Sequence, residues 1–209
     1  MTSLVRSLWA GILFGVPMLV PMATALAGES ADSGAAAKAA TPATPAEPAV
    51  AKPATPTTPV AGSPAIDFSL LSGEGQATTL KDYKGKWVVL YFYPKDFTGG
   101  CTIEAHNFER DLAKYSQLNA IILGVSVDSP ESHKEFCAKE QLTFKLLSDP
   151  AGKVSTQYGS VMEYEGAKMS ARNTFLIAPD GKIAKVYTKV NPTVHSEEVL
   201  AALGELQKS

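Results

Sequence analysis

Residues 87–118 read WVVLYFYPKDFTGGCTIEAHNFERDLAKYSQL, and the changes of pattern inside them decide the fold. Trp87-Val88-Val89-Leu90-Tyr91-Phe92-Tyr93 is an unbroken apolar run, as expected of a central strand covered on both faces. Pro94 ends it, because proline cannot donate to a ladder. From Thr102 to Leu118 the apolar residues fall at Ile103, Ala105, Phe108, Leu112 and Tyr115, a helical stripe with charges on the other face. Working outward, Ala120 to Val127 predicts a second buried strand. Asp128-Ser129-Pro130 opens another helix, with capping side chains before Glu131 and an apolar face of Phe136, Cys137 and Leu142. Arg172 to Ala178 and Lys182 to Thr188 are two strands turned by Pro179-Asp180-Gly181 into a hairpin. Residues 195–208 close the chain as a helix. The order β-α-β-α-β-β-α, preceded by short strands around residues 66–80, predicts an α/β protein of thioredoxin-like plan, a central mixed β-sheet flanked by helices.

Composition narrows the function. The chain has 209 residues, 19 Lys plus Arg against 21 Asp plus Glu, and a net charge of −2. It lacks the basic field that a phosphate backbone demands, so nucleic acid is not the expected partner. Its two cysteines, Cys101 and Cys137, form no CxxC pair, which excludes a disulfide-dense scaffold, a cysteine-rich zinc module and a thioredoxin-type dithiol. Any cysteine chemistry uses single thiols or these two together.

Eight of the 14 prolines precede residue 63, and the chain divides accordingly. Residues 1–27 carry Arg6 as their only charge, an apolar stretch from Leu8 to Val20 and the ending Ala25-Leu26-Ala27. This is the pattern of an export signal peptide cleaved before Gly28, which makes the protein periplasmic or secreted. The rival reading is an uncleaved membrane anchor, since Leu8 to Ala27 is long enough to span a bilayer. Residues 28–62 are an Ala/Pro/Thr-rich tract with no large aromatic, too poor in apolar surface to offset the entropy of ordering. They are expected to be a disordered linker of polyproline II character; a ligand for a proline-recognising groove is the alternative. Residues 63–209 keep the net −2 and form the globular domain.

Cys101 follows the loop Pro94-Lys95-Asp96-Phe97-Thr98-Gly99-Gly100 and begins a helix. There the unpaired N–H groups and the positive end of the helix dipole favour an anion, and the thiolate is the nucleophilic form of cysteine. Gly99 and Gly100 let the backbone approach a small ligand, and Thr98 offers a hydroxyl. A buried cysteine with no chemistry, merely starting a helix, fits the same position.

The segment Tyr91-Phe92-Tyr93-Pro94-Lys95-Asp96-Phe97-Thr98-Gly99-Gly100-Cys101-Thr102-Ile103-Glu104-Ala105 resembles the peroxidatic segment of peroxiredoxins, with its P-x-x-x-T-x-x-C motif, and most of all the Q type, also called bacterioferritin comigratory protein. Val125-Ser126-Val127-Asp128-Ser129, Ser132-His133-Lys134-Glu135-Phe136, Leu146-Leu147-Ser148-Asp149 and Arg172-Asn173-Thr174-Phe175-Leu176-Ile177 are similar as well. The resemblance spans residues 63–208 and departs at Gly99, where the family commonly has proline. It implies a thiol peroxidase acting on hydrogen peroxide and organic hydroperoxides without a cofactor or metal. Cys101 would be oxidised to a sulfenic acid, with Arg172 supplying a cation and donors, Thr98 an orienting hydroxyl and Pro94 a shield for the pocket. Without the resemblance Arg172 reads as a surface or structural arginine.

Many Q-type relatives carry a resolving cysteine five residues after the peroxidatic one, but here that position is His106. Other members place it on the next helix, where Cys137 lies. The resemblance therefore implies a Cys101–Cys137 disulfide recycled by a thioredoxin-like dithiol reductant, and an intramolecular pair points to a monomer. Two helices flanking one strand do not hold their Cα atoms within the ~7 Å limit for a disulfide, so one helix start must unravel. Cys137 as a core residue beside Phe136, a one-cysteine peroxidase served by an external thiol, and a non-enzymatic envelope sensor or binding module are the alternatives. His133, His106 and Cys137 as metal ligands form a weaker pattern, since no tight motif completes them. His133 is expected to pack or hydrogen-bond near its helix start, and Glu104 to serve as a cap or hydrogen-bond anchor.

Overall fold

The structure is a computed structural model that describes residues 58–208. The predicted signal peptide and nearly all of the predicted linker lie outside the described residues. The linker's last residues do not behave as a spacer: Pro59 is buried, Gly62 N–H donates to the Ile183 carbonyl at 2.8 Å, and Ile183 N–H donates to the Ser63 carbonyl at 2.9 Å. The domain thus begins a few residues before position 63. Among the described residues no helix is long and apolar enough to cross a membrane.

Among the described residues nine strands and four α-helices follow in order: β1 (Ser69–Ser72), β2 (Ala77–Thr79), β3 (Trp87–Phe92), α1 (Gly99–Gln117), β4 (Ala120–Ser126), α2 (Pro130–Glu140), β5 (Lys145–Ser148), α3 (Lys153–Gln157), β6 (Val161–Tyr164), β7 (Ala167–Ser170), β8 (Asn173–Ile177), β9 (Ile183–Thr188) and α4 (His195–Leu206). Seven strands form one sheet in the order β2-β1-β5-β4-β3-β8-β9, and β6 pairs with β7 apart from it. The sheet is mixed as expected: β4 runs parallel to β3 and to β5, while β8 runs antiparallel to β3.

β3 is an interior strand between β4 and β8, which is why its sequence is apolar throughout. Its alternate residues face opposite layers. Val89, Tyr91 and Tyr93 join Ala105 and Phe108 of α1, Phe136 of α2 and Val199 and Leu203 of α4 in one core. Val88, Leu90 and Phe92 join Phe68, Val154 of α3, Tyr158 and Phe175 in the other. Helices therefore cover both faces. Phe108 is wholly buried, and its truncation to Ala would cost about 3–5 kcal/mol.

Four elements escape the sequence pattern. β5 is only four residues long, and its apolar core is the pair Leu146-Leu147; α3 has five residues. The β6–β7 hairpin is mostly exposed, so it lacks the alternation that marks a half-buried strand. Leu142 lies past the end of α2, which stops at a left-handed Gln141, yet it still reaches the core. At the other end of α2 the Ser129 side chain accepts from Ser132 N–H and Pro130 opens the first turn, both as the sequence predicts.

Candidate active site

The antiparallel register of β3 with β8 pairs Phe92 with Asn173. Arg172, one residue before Asn173, is thereby delivered to the end of β3 from which the loop to Cys101 departs. Its guanidinium spans two groups on α1: Nη2 donates to Cys101 Sγ at 3.2 Å, and Nη1 donates to Glu104 Oε2. Thr98 is the N-cap residue of α1, so Cys101 is the third residue of the helix. The first-turn amides have no intrahelical acceptor there, and the sulfur sits in the positive end of the dipole with a cation against it. The sulfur is buried, at 2% exposure for the residue.

Burial opposes the charge on Arg172, but Glu104 and Cys101 outweigh it and raise the guanidinium above its ordinary value. Burial acts the other way on Glu104, pushing its carboxyl up to about 7 against the pull of Arg172. Its Oε1 is buried without a hydrogen-bond partner. Glu104 is the hydrogen-bond anchor that the sequence allows, and it is no cap, because α1 starts at Gly99 and places it beyond the first turn. Gly100 has its own reason: a Cβ there would meet Arg172 Nη2 at 3.3 Å. The glycine leaves the guanidinium its path to the sulfur.

Thr98 is exposed, and its hydroxyl donates to the Lys95 carbonyl at 3.0 Å instead of capping the helix. Pro94 and Thr98 form one wall of an open cleft of ≈ 590 Å³, whose far side is Met162, Tyr164, Ala167 and Met169 of the β6–β7 hairpin. Of the five residues singled out from sequence, Cys101 and Arg172 are in direct contact, while Pro94 and Thr98 share a cleft that neither of those two lines.

Cys137 stands apart on α2. Both cysteines are free thiols, and Cys137 is partly buried against the same core cluster that holds Cys101. Burial, with the charges of Glu74, Asp96 and Glu109 adding to it, pushes the Cys137 thiol up to about 12. His106 pairs with Glu140 of α2 at 3.0 Å. His133 is paired through Nδ1 with Asp96 Oδ2 at 2.9 Å, near the helix start as expected. Among the described residues no group of three or more His, Cys, Asp or Glu is arranged to hold a metal ion.

The residue that sequence reading passes over is Asp96. It lies between exposed Lys95 and Phe97, yet is 3% exposed itself. Its carboxylate accepts from Tyr93 Oη at 2.7 Å and from Ser132 Oγ at 2.7 Å, beside the pair with His133. Burial works against its ionisation, but His133 and the two hydroxyls prevail and hold the carboxyl below the usual range. No local pattern announces this, because two of the three partners, Ser132 and His133, lie 36 and 37 residues away.

The chain is matched over residues 61–186 by the model of the AhpC/TSA family. It is 39% identical over 154 residues to Peroxiredoxin Bcp of Bacillus subtilis, covering 70% of this chain and 96% of that one. It is 42% identical over 147 residues to Peroxiredoxin Bcp of Xanthomonas campestris, covering 67% and 91%. Among solved structures, a mutant of PrxQ from Xylella fastidiosa superposes with a TM-score of 0.69 at 35% identity, covering 72% of this chain and 99% of that one. The Xanthomonas campestris bacterioferritin comigratory protein, studied for alkyl peroxide reduction through trapped intermediate and ligand complexes, superposes with a TM-score of 0.63 at 37% identity, covering 66% and 90%.

Proposed function

Because the chain belongs to the AhpC/TSA family and is a thiol peroxidase of its peroxiredoxin Q branch, we propose that Cys101 is the peroxidatic nucleophile and Cys137 the resolving thiol of one intramolecular cycle. The observation that carries the first assignment is the contact of Arg172 Nη2 with Cys101 Sγ at 3.2 Å. Thiolate attack on a peroxide breaks the O–O bond: one oxygen stays on sulfur as a sulfenic acid, and the other leaves as an oxyanion that takes a proton to become water or an alcohol. Donors that follow the moving charge lower that barrier. Arg172 is a fork of such donors, held in direction by Glu104, and Thr98 and Pro94 frame the entrance.

Cys137 then attacks the sulfenic acid, a disulfide forms and water leaves. Its thiol, pushed up to about 12, does not compete for peroxide while it is packed, which suits a group that acts second. A thioredoxin-like dithiol protein closes the cycle by taking the oxidising equivalents as its own disulfide, and the enzyme works as a monomer. The export reading of residues 1–27 stands beside this, resting on the apolar run and the Ala25-Leu26-Ala27 ending. It places the enzyme in the periplasm or outside the cell, and the mass of the mature chain, starting at Gly28 or at residue 1, tests it.

One equivalent of hydrogen peroxide added to reduced protein tests the cycle by intact mass. The expected product is a monomer ~2 Da lighter than the reduced chain. Cys101→Ser should not react, and Cys137→Ser should react once and hold the sulfenic acid or pass to sulfinic acid under excess oxidant. Turnover by Cys101→Ser refutes the nucleophile. A disulfide-linked dimer through Cys137, or full multiple turnover by Cys137→Ser with the same dithiol reductant, refutes the intramolecular cycle and supports the one-cysteine enzyme.

A further inference from the structure

The loop that ends at Cys101 is fastened to α2 at one place and loose at the next. At Asp96 the fastening is dense: the carboxylate pairs with His133 Nδ1 at 2.9 Å, Ser132 Oγ donates to it at 2.7 Å, and in the loop just before α2 Asp128 Oδ2 accepts from Asp96 N–H at 2.9 Å. The next residue, Phe97, adopts a left-handed φ of 59°, which a bulky side chain takes only when its surroundings hold it there. Its ring meets Phe136 edge-on at 5.0 Å between centroids, and the Lys139 ammonium lies 5.3 Å from the ring centre. Phe136 immediately precedes Cys137, and His133 lies one helical turn before Cys137 on the same face.

Beyond Phe97 the fastening stops. Thr98 makes no side-chain cap, and Gly99 and Gly100, the first two residues of α1, are the poorest helix formers short of proline. A Cβ at Gly99 would touch nothing within 4 Å. The weak segment therefore begins just after Phe97.

From this contrast we infer that Asp96 and Phe97, held by His133 and Phe136, are positioning residues for resolution: they form a pivot on α2 about which residues 98–101 swing to bring Cys101 to Cys137. The inference rests on the Cys101–Cys137 cycle proposed above. Cys101 lies four residues after Phe97, so with the first turn of α1 unwound its Cα stays within about 14 Å of the Phe97 Cα. The Phe97–Phe136 contact adjoins Cys137. A pivot held there keeps the sulfenic acid at high local concentration beside its partner, whereas a loop released at both ends would explore far more space. No new covalent step is needed; the pivot governs the rate at which the disulfide replaces the sulfenic hydroxyl and water leaves.

The experiment follows two rates in one reduced sample after hydrogen peroxide: loss of peroxide, and closure of the disulfide by acid quench and intact mass. Phe97→Asn removes the exposed anchor with a residue that tolerates positive φ, and Asp96→Asn weakens the buried one. Both should consume the first equivalent of peroxide within twofold of the wild-type rate and close the disulfide at least fivefold more slowly. Their sulfinic acid fraction at a fixed excess of peroxide should rise. Phe97→Tyr should restore wild-type closure, a rescue that general loosening would not give. Closure at the wild-type rate or faster in both variants overturns the pivot and leaves the Cys101–Cys137 pairing standing. Equal slowing of both rates overturns it too, by placing the anchor in the peroxide site. An oxidised wild type with no Cys101–Cys137 peptide overturns the pairing and the pivot together.

Discussion

At the scale of the residue, the site reduces to one guanidinium serving two groups. Arg172 reaches Cys101 with one terminal nitrogen and Glu104 with the other, a task for a planar fork that a lysine ammonium cannot reproduce. Arg172→Lys should therefore slow peroxide attack although the charge is kept. Arg172→Ala should slow it by on the order of 10²–10³, the usual cost of losing a donor to a developing oxyanion. Single-turnover peroxide consumption is the measurement, and an unchanged rate would place Arg172 away from the sulfur in solution.

At the scale of the element, α1 is strong in its body and weak at its start. Its body is fixed by Phe108 and Tyr115 in the core and by Asp111, where Arg110, Lys114 and Ser196 converge. Arg110, with the others assisting, holds the Asp111 carboxyl well below the usual range against the effect of burial. The start rests on Gly99 and Gly100. Gly99→Pro should be accepted: Thr98 already has the extended backbone, φ −92° and ψ 146°, that a residue before proline needs. The first helical position also has no intrahelical acceptor for its N–H. The gain is about 0.4–1 kcal/mol. Opening of the first turn should become rarer by a factor of about two to five. Disulfide closure should slow accordingly while peroxide attack holds, with amide exchange at residues 100–104 reporting the stiffer turn; closure at an undiminished rate would show that the turn does not limit resolution.

At the scale of the whole molecule, two buried groups that feel the charge of Arg172 make stability depend on pH in opposite senses. Glu104 rises from 4.5 to about 7 on folding, chiefly through burial. Its contribution is complete below its unfolded value and is lost as pH rises through about 7. His195, buried with its Nε2 on Thr174 Oγ1 at 2.8 Å, falls from 6.5 to about 4 through burial and the charge of Arg172. Its contribution is complete above 6.5 and is lost as pH falls through about 4. Each is on the order of 3 kcal/mol, so between pH 7 and 4.5 they offset one another. Glu104→Gln removes one side of the balance: urea unfolding at pH 7.5 and 4.5 should show the wild type gaining up to about 3 kcal/mol on the variant as pH falls. A wild-type-to-variant difference independent of pH would mean that folding leaves the proton affinity of Glu104 unchanged.

What the sequence determined by itself is local. The apolar run at residues 87–93, the proline that ends it, the helical stripe after Thr102 and the Ser129-Pro130 start of α2 depend on neighbours within a few positions, where strand and helix periods are legible. Cys101 at a helix start, with its preference for an anion, follows from the same local logic. The tertiary structure decided what depends on sheet order and register. Arg172, 71 residues from Cys101, meets it because β8 pairs antiparallel with β3 in one register, and a slip of one residue would turn it to the other face. Asp96 looks like any loop carboxylate until α2 packs beside the loop and buries it against His133. β5, with its short apolar core, becomes a strand because β4 and β1 pair with it on either side. In each case the deciding energy is a contact between residues far apart in the chain, which no window of sequence contains.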